Sequence, residues 1–329
     1  MALVVRFHKL GGPEVLQIED LEVGPPGAGE IRVRVEAIGL NRAEAMYRSG
    51  TYLEQPRLPS GLGYEASAIV EELGGGVEGF TLGQAVNVIP AFSLNKYGTY
   101  AEQAIVPASA VVMRPPGLSA VDAAAVWMQY LTAYGALIDI AKLAIGDAVI
   151  IPAASSSVGL AAIQIANSVG AISIATTRTS AKRAALLREG AAHVIATQEQ
   201  DLVAEVKRIT NGHGARVVFD PVAGSGIETQ AKATASGGII FEYGNLSGEP
   251  TPFPLMEALG RGLSVRGYLL MEITGDPQRL ASGQEFITRG LRSGALKPII
   301  AKTFNLDEIV DAHRFLESND QFGKIVVTV

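Results

Sequence analysis

Val149-Ile-Ile-Pro-Ala-Ala-Ser-Ser-Ser-Val-Gly-Leu-Ala-Ala-Ile-Gln-Ile-Ala166 is a short β-rich apolar run ending at Pro152, then a cluster of small residues, then an Ala-rich helical run closed by Gly170. Strand, tight turn and helix make the first half of a βαβ unit. The turn is the place for a pyrophosphate, because the free N–H groups and the positive dipole end of the helix favour an anion. The dinucleotide fingerprint is Gly-x-Gly-x-x-Gly, and the chain offers Ala154-Ser155-Ser156-Ser157-Val158-Gly159. Only the third glycine, which lets helix and strand pack closely, is kept. Ser156 has a hydroxyl able to donate to a phosphate, although a plain serine-capped turn reads the same way. Ser155, Ser156, Ser157, Val158 and Gly159 are the candidate phosphate residues, and their context decides between the two readings.

On either side of this stretch, Ala-rich helical segments alternate with short apolar strands predicted at 148–153, 172–176, 193–196, 216–220, 239–243 and 264–270. Six strands with intervening helices form a doubly wound parallel sheet. Residues 1–122 differ in style, rich in Gly, Pro and β-formers. Ile31-Arg-Val-Arg-Val-Glu-Ala-Ile38 alternates apolar and charged residues, the mark of a half-exposed antiparallel strand. From about Met271 the chain returns to mixed character and closes on Lys324-Ile-Val-Val-Thr-Val329. The expected plan is α/β and discontinuous: 1–122 with 271–329 as a β-rich catalytic domain, and 123–270 as a Rossmann-type dinucleotide-binding domain. The default binding site of such a plan is the interdomain cleft.

In a dinucleotide fold the end of the second strand meets the adenosine ribose, and an acid there selects NAD. Thr177 stands where that acid is expected, and no carboxylate follows until Glu189. Arg178, Thr179, Ser180 and Lys182 offer two cations and two hydroxyls, which suits a 2′-phosphate, so NADP(H) is favoured over NAD(H). The competing reading is the solvated start of a helix. At the end of the fifth strand, Tyr243-Gly244-Asn245 is placed to lie against the nicotinamide ribose, and Gly244 serves equally as a turn residue.

Composition narrows the function classes. With 48% apolar and 18% charged residues, the 329-residue chain reads as a well-packed globule large enough for two cores. A net charge of −6 without a basic cluster argues against nucleic acid or an anionic membrane as the main partner. No apolar run is long enough to span a bilayer. Charges within Met1-Ala-Leu-Val-Val-Arg-Phe-His-Lys9 interrupt what a signal peptide needs, so the expected location is cytoplasmic. There is no cysteine, which removes disulfides, thiolate catalysis and cysteine-ligated zinc. The four histidines are scattered, and His8 and His313 read as surface or helix residues without a role.

Several stretches in order carry a likeness: Gly39-Leu-Asn-Arg-Ala-Glu-Ala-Met-Tyr-Arg-Ser-Gly-Thr-Tyr52, Pro59-Ser-Gly-Leu-Gly-Tyr-Glu-Ala66, Gly98-Thr-Tyr-Ala-Glu102, Val218-Phe-Asp-Pro-Val222 and Gly323-Lys-Ile-Val-Val327. With the turn 153–159 and the segment 237–244, they make the chain resemble the medium-chain dehydrogenase/reductase superfamily along its whole length. Within it the chain is most similar to the zinc-independent quinone oxidoreductase branch. The resemblance implies a GroES-like catalytic domain beside the Rossmann domain. At the three catalytic-zinc positions of the zinc-dependent members stand Asn41, Tyr64 and Met128, and the structural-zinc loop is replaced by the short segment 87–97, so no metal is expected. Without a Lewis acid for an alkoxide, reduction of an electron-poor π-system is the implied chemistry.

The residues that the resemblance offers for that work are Asn41, Tyr47, Arg48, Tyr52 and Tyr64. Tyr52 matches a tyrosine of the quinone reductases and the proposed proton donor of enoyl-thioester reductases; it is expected to donate to the substrate oxygen or to supply the proton. Asn41 is expected to bond the nicotinamide ribose or the substrate carbonyl. Two departures stand out: Met46 occupies a place often held by tyrosine, and Tyr64 replaces a smaller residue and reshapes the pocket. Thr132 and Lys324 are further expected cofactor residues. The sixth strand of the Rossmann sheet is the expected homodimer edge. The leading expectation is an NADPH-dependent, metal-free quinone or enone reductase acting on a small molecule. Its rivals are a 2-enoyl thioester reductase and a non-catalytic NADPH-binding sensor or RNA-binding protein.

Overall fold

The computed structural model describes residues 1–329, which divide into two compact units. The first comprises Met1–Met128 and Pro298–Val329, the second Gln129–Lys297.

In the first unit β1 (Ala2–Phe7) pairs antiparallel with β2 (Leu16–Leu21). There follow β3 (Glu30–Gly39), α1 (Arg42–Ser49), β4 (Ala66–Leu73), β5 (Ala85–Val88), β6 (Gln103–Pro107), β7 (Val111–Met113) and α2 (Ala120–Ala123). β3 is the hub, antiparallel to both β4 and β6. Its alternation is observed as expected: Ile31, Val33, Val35 and Ala37 are buried. On the other face Arg32 reaches Glu72 at 2.8 Å.

The helix α3 (Trp127–Tyr134) carries the chain into the second unit and continues as a π-helical stretch, Gly135–Ile140. Then come β8 (Ala148–Ile151), α4 (Ser157–Ser168), β9 (Ile172–Thr177), α5 (Arg183–Arg188), β10 (His193–Ala196) and α6 (Leu202–Ile209). The second half holds β11 (Ala215–Asp220), α7 (Gly226–Ala233), β12 (Thr234–Glu242), α8 (Leu255–Arg261), β13 (Ser264–Gly267), α9 (Met271–Thr274) and α10 (Pro277–Ser293). The strand order is β10-β9-β8-β11-β12-β13, every pair parallel. This is the expected doubly wound sheet. Its order reverses between β8 and β11, and such sheets bind ligands outside the strand ends at that point. Ile150, Ile174, Ile195, Val218 and Ile240, one from each of five strands, are buried in its core.

Finally β14 (Ile300–Asn305), α11 (Ile309–Ser318) and β15 (Lys324–Thr328) return to the first unit. There β15 joins antiparallel to β3, giving the order β14-β15-β3-β4-β5-β7 with β6 also on β3. No helix is long and apolar enough to cross a membrane.

Two boundaries differ from expectation. Residues 271–297 belong with the parallel sheet, because α10 packs within that unit. Its Phe286 ring lies 5.3 Å from Tyr134, and Arg279 donates to Asp139 at 2.8 Å. The sixth strand stops at Gly267 because the chain turns there into α9.

The turn between β8 and α4 shows why one fingerprint glycine remains. Ser156 caps α4, its Oγ accepting from the Gly159 N–H at 3.1 Å. Ala153 carries a left-handed φ of 47°, doing without the glycine that such a turn usually takes. At Gly159 there is no such latitude: a Cβ would stand 2.7 Å from both Cα and O of Ala154. These are backbone atoms that cannot swing aside. Gly159→Ala is therefore expected to cost ~1–3 kcal/mol, read as a lower urea midpoint with an unchanged slope.

Candidate active site

The first unit gathers its polar residues around the N-terminus of α1. Asn41 and Glu44 stand at the cap and third helical positions, a spacing that turns the glutamate back on the cap. The Asn41 N–H donates to Glu44 Oε2 at 2.5 Å, and Asn41 Nδ2 to Glu44 Oε1 at 3.2 Å. Two other segments converge on the same carboxylate: the Tyr64 N–H at 3.0 Å and the Tyr100 hydroxyl at 3.0 Å. Glu44 is fully buried. Burial pushes its carboxyl up to about 7, against the pull of the Tyr64 N–H, the Lys324 ammonium and Asn41.

Asn41 Oδ1 accepts from Lys324 Nζ at 2.6 Å, and the same ammonium donates to Glu65 Oε2 at 2.7 Å. The Lys324 and Glu65 side chains are wholly removed from solvent. Glu65 Oε1 accepts from the Met128 N–H at 3.0 Å. Strand β15 supplies the cation and the segment leading into β4 supplies the anion.

Beside this cluster lies a run of aromatic rings. Tyr52 and Tyr64 have centroids 6.5 Å apart, Tyr64 and Phe92 5.7 Å, Phe92 and Tyr97 5.8 Å. The Tyr52 and Tyr64 hydroxyls face one another as a pair in which either can donate. Burial raises both phenols above their ordinary value. Glu54 ties its loop down by accepting from Asn95 Nδ2 at 2.8 Å and the Leu94 N–H at 3.2 Å.

The second unit has its own cluster at the strand ends. The Lys182 ammonium donates to Ser155 Oγ at 3.3 Å, so the turn before α4 and the segment after β9 meet. Thr177 ends β9, and Arg178 is exposed beside it. Tyr243 stacks on Phe219 at 4.0 Å, and its hydroxyl is buried. A Cβ on Gly244 would stand 2.7 Å from Pro221 O, so the chain after β12 hugs the chain after β11. Thr132, on α3, is buried.

The structure brings Asn41, Tyr52 and Tyr64 together and gives three expected residues other work. Arg48 does not face this cluster. Its guanidinium donates to Gly11 O, His313 Nδ1 and Glu317 Oε1, and it is 1% exposed. Lys324, expected at the cofactor, is held inside by Glu65 and Asn41. The Tyr47 hydroxyl is engaged by Ser60 and Asn95. Both Nδ2 protons of Asn41 are occupied, by Gly39 O at 2.9 Å and by Glu44. Asn41 is left as an acceptor, which fits a ribose hydroxyl and not a substrate carbonyl. The sequence reading missed Glu44, Glu65, Tyr100 and His313. Only the Asn41-x-x-Glu44 spacing signalled any of them in advance.

The residues at the three zinc positions do not fit zinc. An amide already bonded to an ammonium, a neutral phenol packed edge-on against a second tyrosine and a thioether replace the thiolate and imidazole ligands that zinc takes. The Lys324 cation, 2.6 Å from the Asn41 oxygen, would also repel a dication.

Comparison with known proteins agrees with this division. Residues 27–116 match the alcohol dehydrogenase GroES-like domain, and residues 157–285 match the family described as zinc-binding dehydrogenase. The chain is 31% identical to a Burkholderia 2-haloacrylate reductase over 99% of each chain, and 34% identical to quinone oxidoreductase 1 of Escherichia coli over 98% of each. The crystal structure of an Escherichia coli quinone oxidoreductase complexed with NADPH superposes with a TM-score of 0.93 at 32% identity, covering all of both chains.

The buried ion pair yields a stability prediction. Lys324→Met leaves the Glu65 carboxylate buried without its cation, at a cost of ~3–5 kcal/mol. Adding Glu65→Gln should recover more than half of that loss in a chemical-denaturation series.

Proposed function

Because the chain belongs to the medium-chain dehydrogenase/reductase superfamily, in its quinone oxidoreductase-like branch, we propose that it is an NADPH-dependent reductase that delivers hydride to a quinone or an α,β-unsaturated carbonyl without a metal. The observation that carries this reading is the Tyr52–Tyr64 hydroxyl pair, set among aromatic rings beside a residue set unfit for zinc.

NADPH supplies the hydride. The second unit fits it: the capped start of α4 offers N–H donors to a pyrophosphate, and Gly159 and Gly244 keep backbone close to backbone at two strand ends. Ser155, Ser156, Ser157, Val158 and Gly159 line that turn, with Thr132, Tyr243, Gly244 and Asn245 as the nicotinamide-side candidates. Lys182, held by Ser155, and Arg178 supply the positive charge for a 2′-phosphate, with Thr177 in place of the acid that would select NAD.

The first unit handles the charge that hydride addition creates. As the hydride reaches the electron-poor carbon, the electron pair of the π-bond moves toward the conjugated oxygen. The Tyr52 hydroxyl donates to that oxygen, with the neutral Tyr64 phenol beside it, so the developing charge meets neutral donors. The rings of Tyr64 and Phe92 suit a planar, conjugated acceptor. Asn41, an acceptor only, takes a ribose hydroxyl.

A homodimer through β13 belongs to the same reading. β13 ends the parallel sheet, and Phe253, Leu255, Met256 and Leu259, in and before the nearby α8, are exposed.

The test follows NADPH consumption against panels of quinones and 2-alkenals, with NADH as control. Tyr52→Phe should lower kcat about 10²-fold or more with the NADPH Kd nearly unchanged. Lys182→Ala should weaken NADPH about tenfold and leave NADH unchanged. Tight NADPH binding without turnover of any acceptor would sink the reductase and leave a sensor.

A further inference from the structure

A second buried chain of hydrogen bonds starts at Arg48 and ends at Glu44. Arg48 Nη1 stands 2.7 Å from His313 Nδ1, and a guanidinium can only donate, so Nδ1 accepts and the imidazole proton sits on Nε2. That Nε2–H faces the Tyr100 oxygen at 3.2 Å, and the Tyr100 hydroxyl donates to Glu44 Oε2 at 3.0 Å. Every proton in the chain therefore points the same way, from a cation to a carboxylate. Arg48, His313, Tyr100 and Glu44 are all buried, and at its outer end Arg48 also pairs with the partly exposed Glu317 at 2.7 Å. Burial and the Arg48 and Arg42 cations hold the His313 imidazole down to about 3, so it stays a neutral link.

The end of this chain touches the candidate site at two backbone positions. Glu44 is the shared acceptor for the Asn41 N–H and the Tyr64 N–H, in two segments that are not adjacent in sequence. We propose that Glu44 is a positioning residue that sets Asn41 and Tyr64 relative to one another for reduction, and that the chain Arg48–His313–Tyr100 holds its carboxylate in place. The proposal rests on the reductase reading only for the consequence in turnover; the hold on Glu44 can be read without it. The carboxylate form accepts all four hydrogen bonds, whereas a protonated Glu44 must turn one oxygen into a donor among groups that themselves donate. The charged and titratable groups acting on it directly are the Lys324 ammonium of β15 and the phenols of Tyr52, Tyr64 and Tyr100 from their loops, while Glu65 lies beyond Lys324, and Arg48, Arg42 and Glu317 lie beyond His313 at the far end of the chain. Glu44 itself is held by burial at about 7. Turnover should rise as pH increases through that value.

Tyr100→Phe keeps the ring and removes one donor from the carboxylate. Its acid limb in kcat/KM should move up by about one pH unit, with kcat at high pH approaching that of the wild type and the NADPH Kd unchanged. Glu44→Gln should abolish the limb and depress kcat/KM at least about tenfold at pH 8.5, as expected for a single lost hydrogen bond to a charged group. A uniform loss across pH in Tyr100→Phe would overturn the proposal, because that is what a merely structural tyrosine gives. A limb that stays fixed would also overturn it; the Glu242 carboxyl of the second unit, raised by burial to about 8, would be expected to titrate unmoved.

Thermal midpoints give the readout that needs no substrate. With its carboxyl raised, Glu44 favours the folded state below the unfolded value near 4.5 and loses that contribution as pH rises through about 7. Removing Tyr100's donation raises the folded value further, so the gap between wild type and Tyr100→Phe should widen by a few degrees from pH 5 to pH 8. A flat gap overturns the chain whatever the activity. A widening gap in a protein that turns over no acceptor keeps the hold on Glu44 and sinks the reductase reading instead.

Discussion

The ammonium of Lys324, sealed between Glu65 and Asn41, constrains everything else in the first unit. A lysine removed from water survives in charged form only with an anion and good acceptors at hand, and here both lie within 2.7 Å. Its donation to the Asn41 oxygen fixes which way that amide points. The amide nitrogen must then face Gly39 and Glu44, Glu44 gathers the Tyr64 N–H, and the Tyr64 ring lies edge-on to Tyr52. The orientation of the aromatic pair thus traces back, bond by bond, to a cation on the closing strand.

The placement of that cation also bears on the chemistry. Its charge is satisfied internally, so the groups offered to a substrate are neutral phenols. Neutral donors stabilise a charge already spread over a conjugated system far better than one localised on an alkoxide, and under the proposed function this selects for quinones and enones. The zinc-dependent dehydrogenases make the opposite choice, with the cation at the reacting oxygen.

Much of the fold was legible because it rests on local periodicity. The strand-turn-helix at 148–168 and the alternation at 31–38 both announce themselves within a dozen residues, and both were found as read. The retained third glycine of the fingerprint was legible too, since a Cβ at Gly159 would meet the backbone of Ala154. What escaped was non-local. Arg48 was taken for a residue facing substrate because nothing in its neighbourhood reveals a histidine 265 positions away. His313 looked idle for the same reason, and Lys324 was placed at the cofactor because its partner Glu65 is 259 residues distant. The domain boundary failed similarly: α10 looks like any amphipathic helix until Tyr134 and Asp139 are seen to hold it.

The discontinuity of the first unit has a consequence for how the chain acquires its structure during synthesis. Residues 129–297 form one contiguous unit whose parallel sheet draws on no later segment, so it can collapse as soon as it leaves the ribosome. The first unit, although synthesised earlier, must wait: β15 is an interior strand of its sheet, and Lys324 neutralises Glu65 only once residues 298–329 have emerged. Until then Glu65 and the flank of β3 lack their partners, and closing a loop of such length is slow. Residues 129–297 hold every strand of their sheet, whereas the sheet of the first unit is complete only with β14 and β15 from the last thirty residues of the chain.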